Sequence, residues 1–475
     1  MTSIQRNSVI VFFLAIAVRM VFHSLTSFTA DDAFITFRYA DNIAAGHGFV
    51  YNLGQHVLGT STPLFTFILS TLSVLSVKPV VAALMIGLLC SGATAVVMYR
   101  LAHVLRFGDW SFLPALLFIL WPRSIVTDTC GMETALFGLM TVAAVYYHHR
   151  RLEYYALAAA TLAAVTRYEG FLLLALLLAA VFWRDRRHFW SYLIAPAVII
   201  LPWLLFAFVY FGSIIPHSVT AKLALYARFA YESPWENLKY MMAWHNPLGW
   251  AMFAAAVWGG FWMHRKQLFG RLEALWMIGM VLFYTFSRTH LFFWYPSPLY
   301  PVYLLFAAAA AVALTDLGAV RKINAAPLRY VVAVAAISVL AWGNRPKILS
   351  FGSQQETLQT VHREIGNYLF GHGEPADVVA AEDIGYMGYY SQLNIIDRDG
   401  LVSPEAVPYN RAGQYFELIN DFRPEWVVAY SGSPLSAFIT EDRFLKLYHL
   451  EKSFVSVTNI QYLLFRKANS DGAAS

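Results

Sequence analysis

Two adjacent carboxylates, Asp31 and Asp32, stand in TADDAFITFRYADNIAAGHGFVYN, residues 29–52, directly after an apolar run that reads as a membrane helix. A carboxylate at the hydrocarbon boundary is costly unless it is paired, metal-bound or set in a watery cavity. Adjacency raises the proton affinity of one of the two, which suits a group that takes a proton from an attacking hydroxyl. A local explanation stands beside this one: both acids sit where the helix AFITFRYADNIAAG would begin, and Asp favours helix N-termini.

Other segments place charge at about the same depth. TDTCGMET carries Asp128 and Glu133, TRYEG carries Arg167 and Glu169, IIPHSVTAK carries His217 and Lys222, and SRTHLFFWYP carries Arg288, His290 and Tyr295. Each alone is explained as an ion pair, a snorkelling cation or an interfacial aromatic belt. Together they form one face for an anionic headgroup delivered from lipid, with Arg38, Arg167, Lys222 and Arg288 available to a phosphate. If that phosphate is the leaving group of a sugar donor, Asp31 or Asp32 serves as base toward an acceptor hydroxyl. Cations or a divalent metal would then stabilise the charge that develops. Glycosyl transfer is the chemistry these residue types imply.

Such residues need a membrane scaffold to hold them. The chain has 475 residues, 58% hydrophobic and 13% charged, against about 25% charged in an average soluble domain. Recurrent apolar stretches predict spans near 8–27, 79–101, 110–122, 133–148, 154–166, 169–183, 190–211, 247–263, 272–287, 297–314 and 329–343, about eleven in all. The net charge of +5 lies mostly in short loops, so it reports orientation and no nucleic-acid partner. Cys90 and Cys130 offer neither a disulfide framework nor metal-ligand spacing.

One apolar segment, 62–77, tests the count. Treating it as a crossing would invert every later loop. Leaving it on the outer surface puts Arg100, Arg106, Arg150, Arg151, Arg184, Arg186, Arg187, Arg265, Lys266, Arg271, Arg321, Lys322 and Arg329 on the cytoplasmic side. The same parity sends loop 28–78 and the whole C-terminus to the exterior. From about residue 345 the composition becomes that of a soluble α/β unit, with ADVVAA, NIIDRD and EWVVAY as short strands and LQTVHREIGNYLF as an amphipathic helix. The expected organisation is a transmembrane domain over 1–344 and a small outer domain over 345–475.

ADDAFITFRYADNIAAGHGFVYNLGQHVLGTSTPLF resembles the first periplasmic loop of the GT-C superfamily, multispanning glycosyltransferases that use polyprenyl-phosphate sugars. The nearest group by resemblance surrounds the mycobacterial terminal β-(1→2) arabinofuranosyltransferases. GMETALF at 131–137 and DIGYMGYYSQLNIIDRDGL at 383–401 are similar to elements of that group. The resemblance implies Asp31 as catalytic base, and Asp32 as a residue that orients it, binds acceptor or helps hold a metal. It also implies a juxtamembrane helix at 62–77. Gln55, Phe65 and TRYEG depart from the group's usual residues, which bears on sugar specificity more than on reaction type.

The expectation is therefore a polytopic α-helical protein of GT-C type in a bacterial inner membrane, with its site and C-terminal α/β domain periplasmic. Its partners would be a polyprenyl-phosphate sugar donor, arabinofuranose among the candidates, a glycan or glycolipid acceptor, and membrane lipid. Glu133, Arg167, Glu169, His217, Lys222, Arg288, His290, Tyr295 and Arg38 would bind substrate. The cofactor is open, since adjacent aspartates are able to hold a divalent ion. The rival reading is a transporter or flippase for a lipid-linked sugar; the charges cluster at one surface and no internal repeat is evident, both of which weigh against it.

Overall fold

The computed structural model describes residues 2–226, 233–242, 247–266, 271–287, 290–316 and 349–468. The expected span 329–343 and Arg288 lie outside them. Helix α1 (Ser3–Thr26) begins with a capping box, the Thr2 hydroxyl accepting from the Gln5 amide and the Gln5 side chain from the Thr2 amide, and stops where Ser27 turns left-handed at φ 48°. It is followed by α2 (Asp31–Ala44), the apolar α3 (Pro63–Val74) and the long α4 (Pro79–Val104). Both α3 and α4 start with proline at their first positions, where a missing N–H costs nothing.

The expected span 110–122 is too short, and the structure shows why. Helix α5 (Leu113–Leu120) breaks at Trp121 and continues as α6 (Pro122–Thr129) after a bend of 60°. A helix end inside apolar surroundings exposes carbonyls that need donors. Arg19 of α1 supplies them, donating to the Ile119 oxygen at 2.6 Å and the Phe118 oxygen at 3.2 Å, and its charge is met by Asp128 at 2.9 Å. Arg19 is 0% and Asp128 6% exposed. Asp128, expected among the charges of the headgroup face, is a buried counter-ion at the bend.

The bundle continues through α7 (Thr134–His149), α8 (Glu153–Thr166), α9 (Gly170–Arg184), the short α10 (Phe189–Tyr192), α11 (Ile194–Phe211), α12 (His217–Tyr226), α13 (Pro234–Met241), α14 (Pro247–Arg265), α15 (Arg271–Phe286) and α16 (Tyr300–Asp316). Helix α4 packs between α1 and α7, and α14 lies along α16. Among the described residues four helices are long and apolar enough to cross a membrane, or five if the bent pair is one crossing.

The C-terminal unit holds α17 (Arg363–His372), α18 (Ile384–Ser391) and strands β1 (Val378–Ala381), β2 (Asn394–Asp397), β3 (Trp426–Tyr430), β4 (Tyr448–Val455) and β5 (Gln461–Lys467). Their order is β2-β1-β3-β5-β4; β1 runs parallel to β2 and β3, and β5 antiparallel to β3 and β4. The three expected strands form the parallel half. A π-turn at Leu358–His362 opens the expected amphipathic helix and carries the buried His362.

Candidate functional site

The first loop and the C-terminal unit meet along α2 and α18. Successive helical residues lie about 100° apart, so Asp31 and Asp32 face different surroundings. The Asp31 carboxylate accepts from the amides of Gly385 at 2.9 Å and Tyr386 at 3.0 Å, in the first turn of α18. Seven residues on, and so on the same face, Arg38 donates to the oxygens of Gly388 and Leu393, both at 2.7 Å. An anion thus meets the positive end of α18 and a cation its negative end.

The helices approach closely because Gly385 and Gly388 face α2. A Cβ at Gly385 would collide with the Asp31 backbone, and one at Gly388 with the Tyr51 hydroxyl. That hydroxyl donates to the Ile384 oxygen at 2.6 Å, and the Arg38 guanidinium lies 4.3 Å over the Tyr51 ring. Asn52 brackets Ile395 on β2, accepting from its amide and donating to its oxygen. His362 completes the contact, 3.5 Å from Asp31, 3.9 Å from Asp383 and 3.2 Å from the Tyr462 hydroxyl.

Asp32 turns instead into a cavity of about 100 Å³ that Thr60, Thr62, Glu133, Arg167, Lys222 and Tyr295 also line. Among the described residues no hydrogen bond engages its carboxylate. Burial pushes its proton affinity above the ordinary carboxylate range; Lys222 pulls it down and Asp31 adds to the rise. Burial alone would lower Lys222, yet Tyr295, Asp32 and Tyr226 more than compensate and keep it charged. Arg167 is saturated by acids, 2.6 Å from Glu133 and 2.6 Å from Glu169, whose carboxylate also accepts from the Tyr284 hydroxyl.

The C-terminal unit closes this cavity with the turn after β2. Asp397 gathers the amides of Asp399, Leu401 and Val402, and so shapes the turn that puts Leu401 in the cavity wall. Asp399 pairs with Arg398 at 2.8 Å. Burial brings its carboxyl up to about 6; Arg398 and Lys222 oppose that rise, and Glu382 and Asp32 reinforce it. Asp399 therefore shares the electrostatic field of Asp32 and Lys222.

Of the residues expected at a site, Asp32, Glu133, Arg167, Lys222 and Tyr295 line one cavity. Glu169 stands behind Arg167. Asp31 and Arg38 are engaged by α18. His217 lies beside the cavity, its amide donating to the Leu58 oxygen at 2.7 Å, and His290 is exposed against Phe292. Thr60, Thr62, Asp399 and Leu401 were not expected; the hydroxyl run in GTSTP, residues 59–63, is the signal that could have marked the threonines. Among the described residues no three His, Cys, Asp or Glu side chains cluster to hold a metal.

Residues 348–471 match a family described as a domain of unknown function, DUF8728. No curated protein matches the sequence. The structure is similar to ArnT from Cupriavidus metallidurans bound to undecaprenyl phosphate, with a TM-score of 0.61 at 14% identity over 97% of this chain and 98% of that one. The apo state of the same protein gives 0.60 at 14% identity, covering 98% of each chain. Arabinofuranosyltransferase AftD from Mycobacteria gives 0.60 at 17% identity over 98% of this chain, which spans 40% of AftD. These likenesses carry the fold and nothing finer: the chain is a multi-pass helical protein with the architecture of these transferases.

Proposed function

We propose that this chain is a membrane glycosyltransferase that moves a sugar from a polyprenyl phosphate to a hydroxyl of a cell-envelope glycan or glycolipid on the periplasmic face. One observation carries the reading: the carboxylate of Asp32, with no hydrogen bond among the described residues, and the charged Lys222 share one small cavity beneath the C-terminal unit. The fold shared with a protein crystallised with undecaprenyl phosphate supports a polyprenyl phosphate as the lipid. The likeness to AftD keeps arabinofuranose among the donor sugars.

In the proposed step Asp32 takes the proton of the acceptor hydroxyl, whose oxygen attacks the anomeric carbon. The bond from that carbon to the phosphate oxygen breaks, and its electron pair leaves with the polyprenyl phosphate, next to Lys222. Arg167, with Glu133 and Glu169, sets the cavity wall and has little charge left for the phosphate. Asp31 is a positioning residue that ties α2 to α18. This assigns the base to Asp32, the neighbour of the acid that the family resemblance favours.

The test is to incubate the purified protein with a panel of polyprenyl-phosphate sugars and glycan acceptors. Covalent product from the native protein and none from D32N supports the proposal. Movement of the lipid-linked sugar across vesicles without product would favour a transporter and overturn it.

A further inference from the structure

A second polar cavity, of about 390 Å³, lies where α3, α4, α17 and α18 meet, lined by Asp41, Ser73, Lys78, Arg363, Tyr389 and Tyr390 among others. Asp41 is nine residues beyond Asp32 on α2, which puts it on the opposite face and about 14 Å along the axis. This cavity is therefore separate from the transfer site.

Its charges come in both signs. The Lys78 side chain is exposed and makes no hydrogen bond or ion pair among the described residues, while its backbone oxygen caps the start of α4. Arg363 uses one donor on Gln359 at 2.9 Å and lies 4.9 Å over the Tyr390 ring. A guanidinium has five N–H donors, so most remain for a phosphate. Opposite them, Asp41 is held by the hydroxyls of Ser73 at 2.6 Å and Tyr389 at 2.8 Å. A carboxylate has about four acceptor positions, which leaves room for an ammonium donor. A purely anionic group would meet repulsion from Asp41, and a purely cationic one from Lys78 and Arg363.

The surroundings point to lipid. The cavity opens at the start of the long apolar helix α4, with Val77, Pro79 and Val80 in its wall. Below it Val81, Met85 and Leu89, four residues apart on one face of α4, are 50%, 51% and 53% exposed. A stripe at this spacing offers a bed for acyl chains running down from the cavity mouth.

We infer that this cavity binds the headgroup of a phosphoethanolamine lipid, with phosphate on Lys78 and Arg363, ammonium on Asp41, and acyl chains along α4. The site reads charge of both signs and is independent of the transfer chemistry.

The test is native mass spectrometry of the full chain released from nanodiscs of phosphatidylethanolamine, phosphatidylglycerol and phosphatidylcholine. The protein is expected to retain phosphatidylethanolamine over both others, and K78A to weaken that retention about tenfold, the loss of one charge-assisted contact. D41N is expected to abolish the preference over phosphatidylcholine, whose methylated ammonium cannot donate to a carboxylate. Equal retention of phosphatidylglycerol, or retention unchanged in K78A, would overturn the inference. Glycosyl transfer measured in detergent is read separately, so failure of one proposal leaves the other standing.

Discussion

Asp31 and Arg38, two turns apart on α2, hold opposite ends of α18 through the amides of Gly385 and Tyr386 and the oxygens of Gly388 and Leu393. The first loop is thereby built into the C-terminal unit. The next residue, Asp32, faces the cavity it shares with Lys222.

This division separates two substitutions that sequence alone treats alike. D32N is expected to lower transfer by about 10²–10⁴-fold with the fold intact, the usual worth of a general base. D31N is expected to retain most turnover per folded molecule and to lose about 1.5–3 kcal/mol of stability, since Gly385 and Tyr386 donate to different oxygens of Asp31 and the amide replaces one of those acceptors with a donor. Product formation and thermal melting of both variants check this; an inactive, fully stable D31N would reverse the roles.

Because burial raises Asp32, the acid limb of the activity profile is expected above the ordinary carboxylate range. Stability has its own pH dependence. Burial raises Asp383 from 3.8 to about 6 despite His362, with Asp31, Glu382 and Asp399 adding. Burial lowers His362, but its bond to Asp31 and the charges of Asp383 and Asp31 outweigh that and raise it above 6.5. Both groups hold protons more tightly folded than unfolded, so stability should fall as pH rises, through about 4 to 6 for Asp383 and above about 6.5 for His362. Melting temperature against pH measures it. H362Q should remove the imidazole's part of the decline and, by taking away the charge that lowers Asp383, carry the carboxyl's part to higher pH.

Crowding between α2 and α18 makes a paired test. G388A is expected to destabilise by about 1–3 kcal/mol, because the new Cβ meets the Tyr51 hydroxyl. Y51F removes that obstacle together with the bond to Ile384. In a double-mutant cycle the G388A/Y51F protein should be more stable than the sum of the single losses allows; strict additivity would mean the clash is relieved elsewhere.

Arg167 offers a test of structure against charge. R167A leaves Glu133 and Glu169 buried without their cation and should cost about 3–5 kcal/mol. Adding E133Q and E169Q should restore folded yield. Expression and melting temperature report both outcomes, and a stable, inactive R167A would move Arg167 into the phosphate site.

Hydropathy and punctuation revealed the apolar helices, α3 and the parallel strands, because these depend on local period and composition. The acids at 31 and 32 drew attention to one stretch of chain, and the structure gives the two different surroundings. Which one faces the cavity was concealed, since that depends on where α18 docks, some 350 residues later. Helical spacing did put Asp31 and Arg38 on one face, a clue that both serve a single partner. The bend between α5 and α6 rests on Arg19, a cation inside an otherwise apolar run. The pairing of Arg167 with Glu133 joins two loops that no local pattern connects. Asp399 reaches the cavity only through the fold of a separate unit.

The glycines of α18 carry an evolutionary consequence. With Gly385 and Gly388 seated against Asp31 and Tyr51, neither partner can drift alone. A chimera that grafts a foreign C-terminal unit onto this bundle should assemble only when the donor's own counterpart of α2 is transplanted with it.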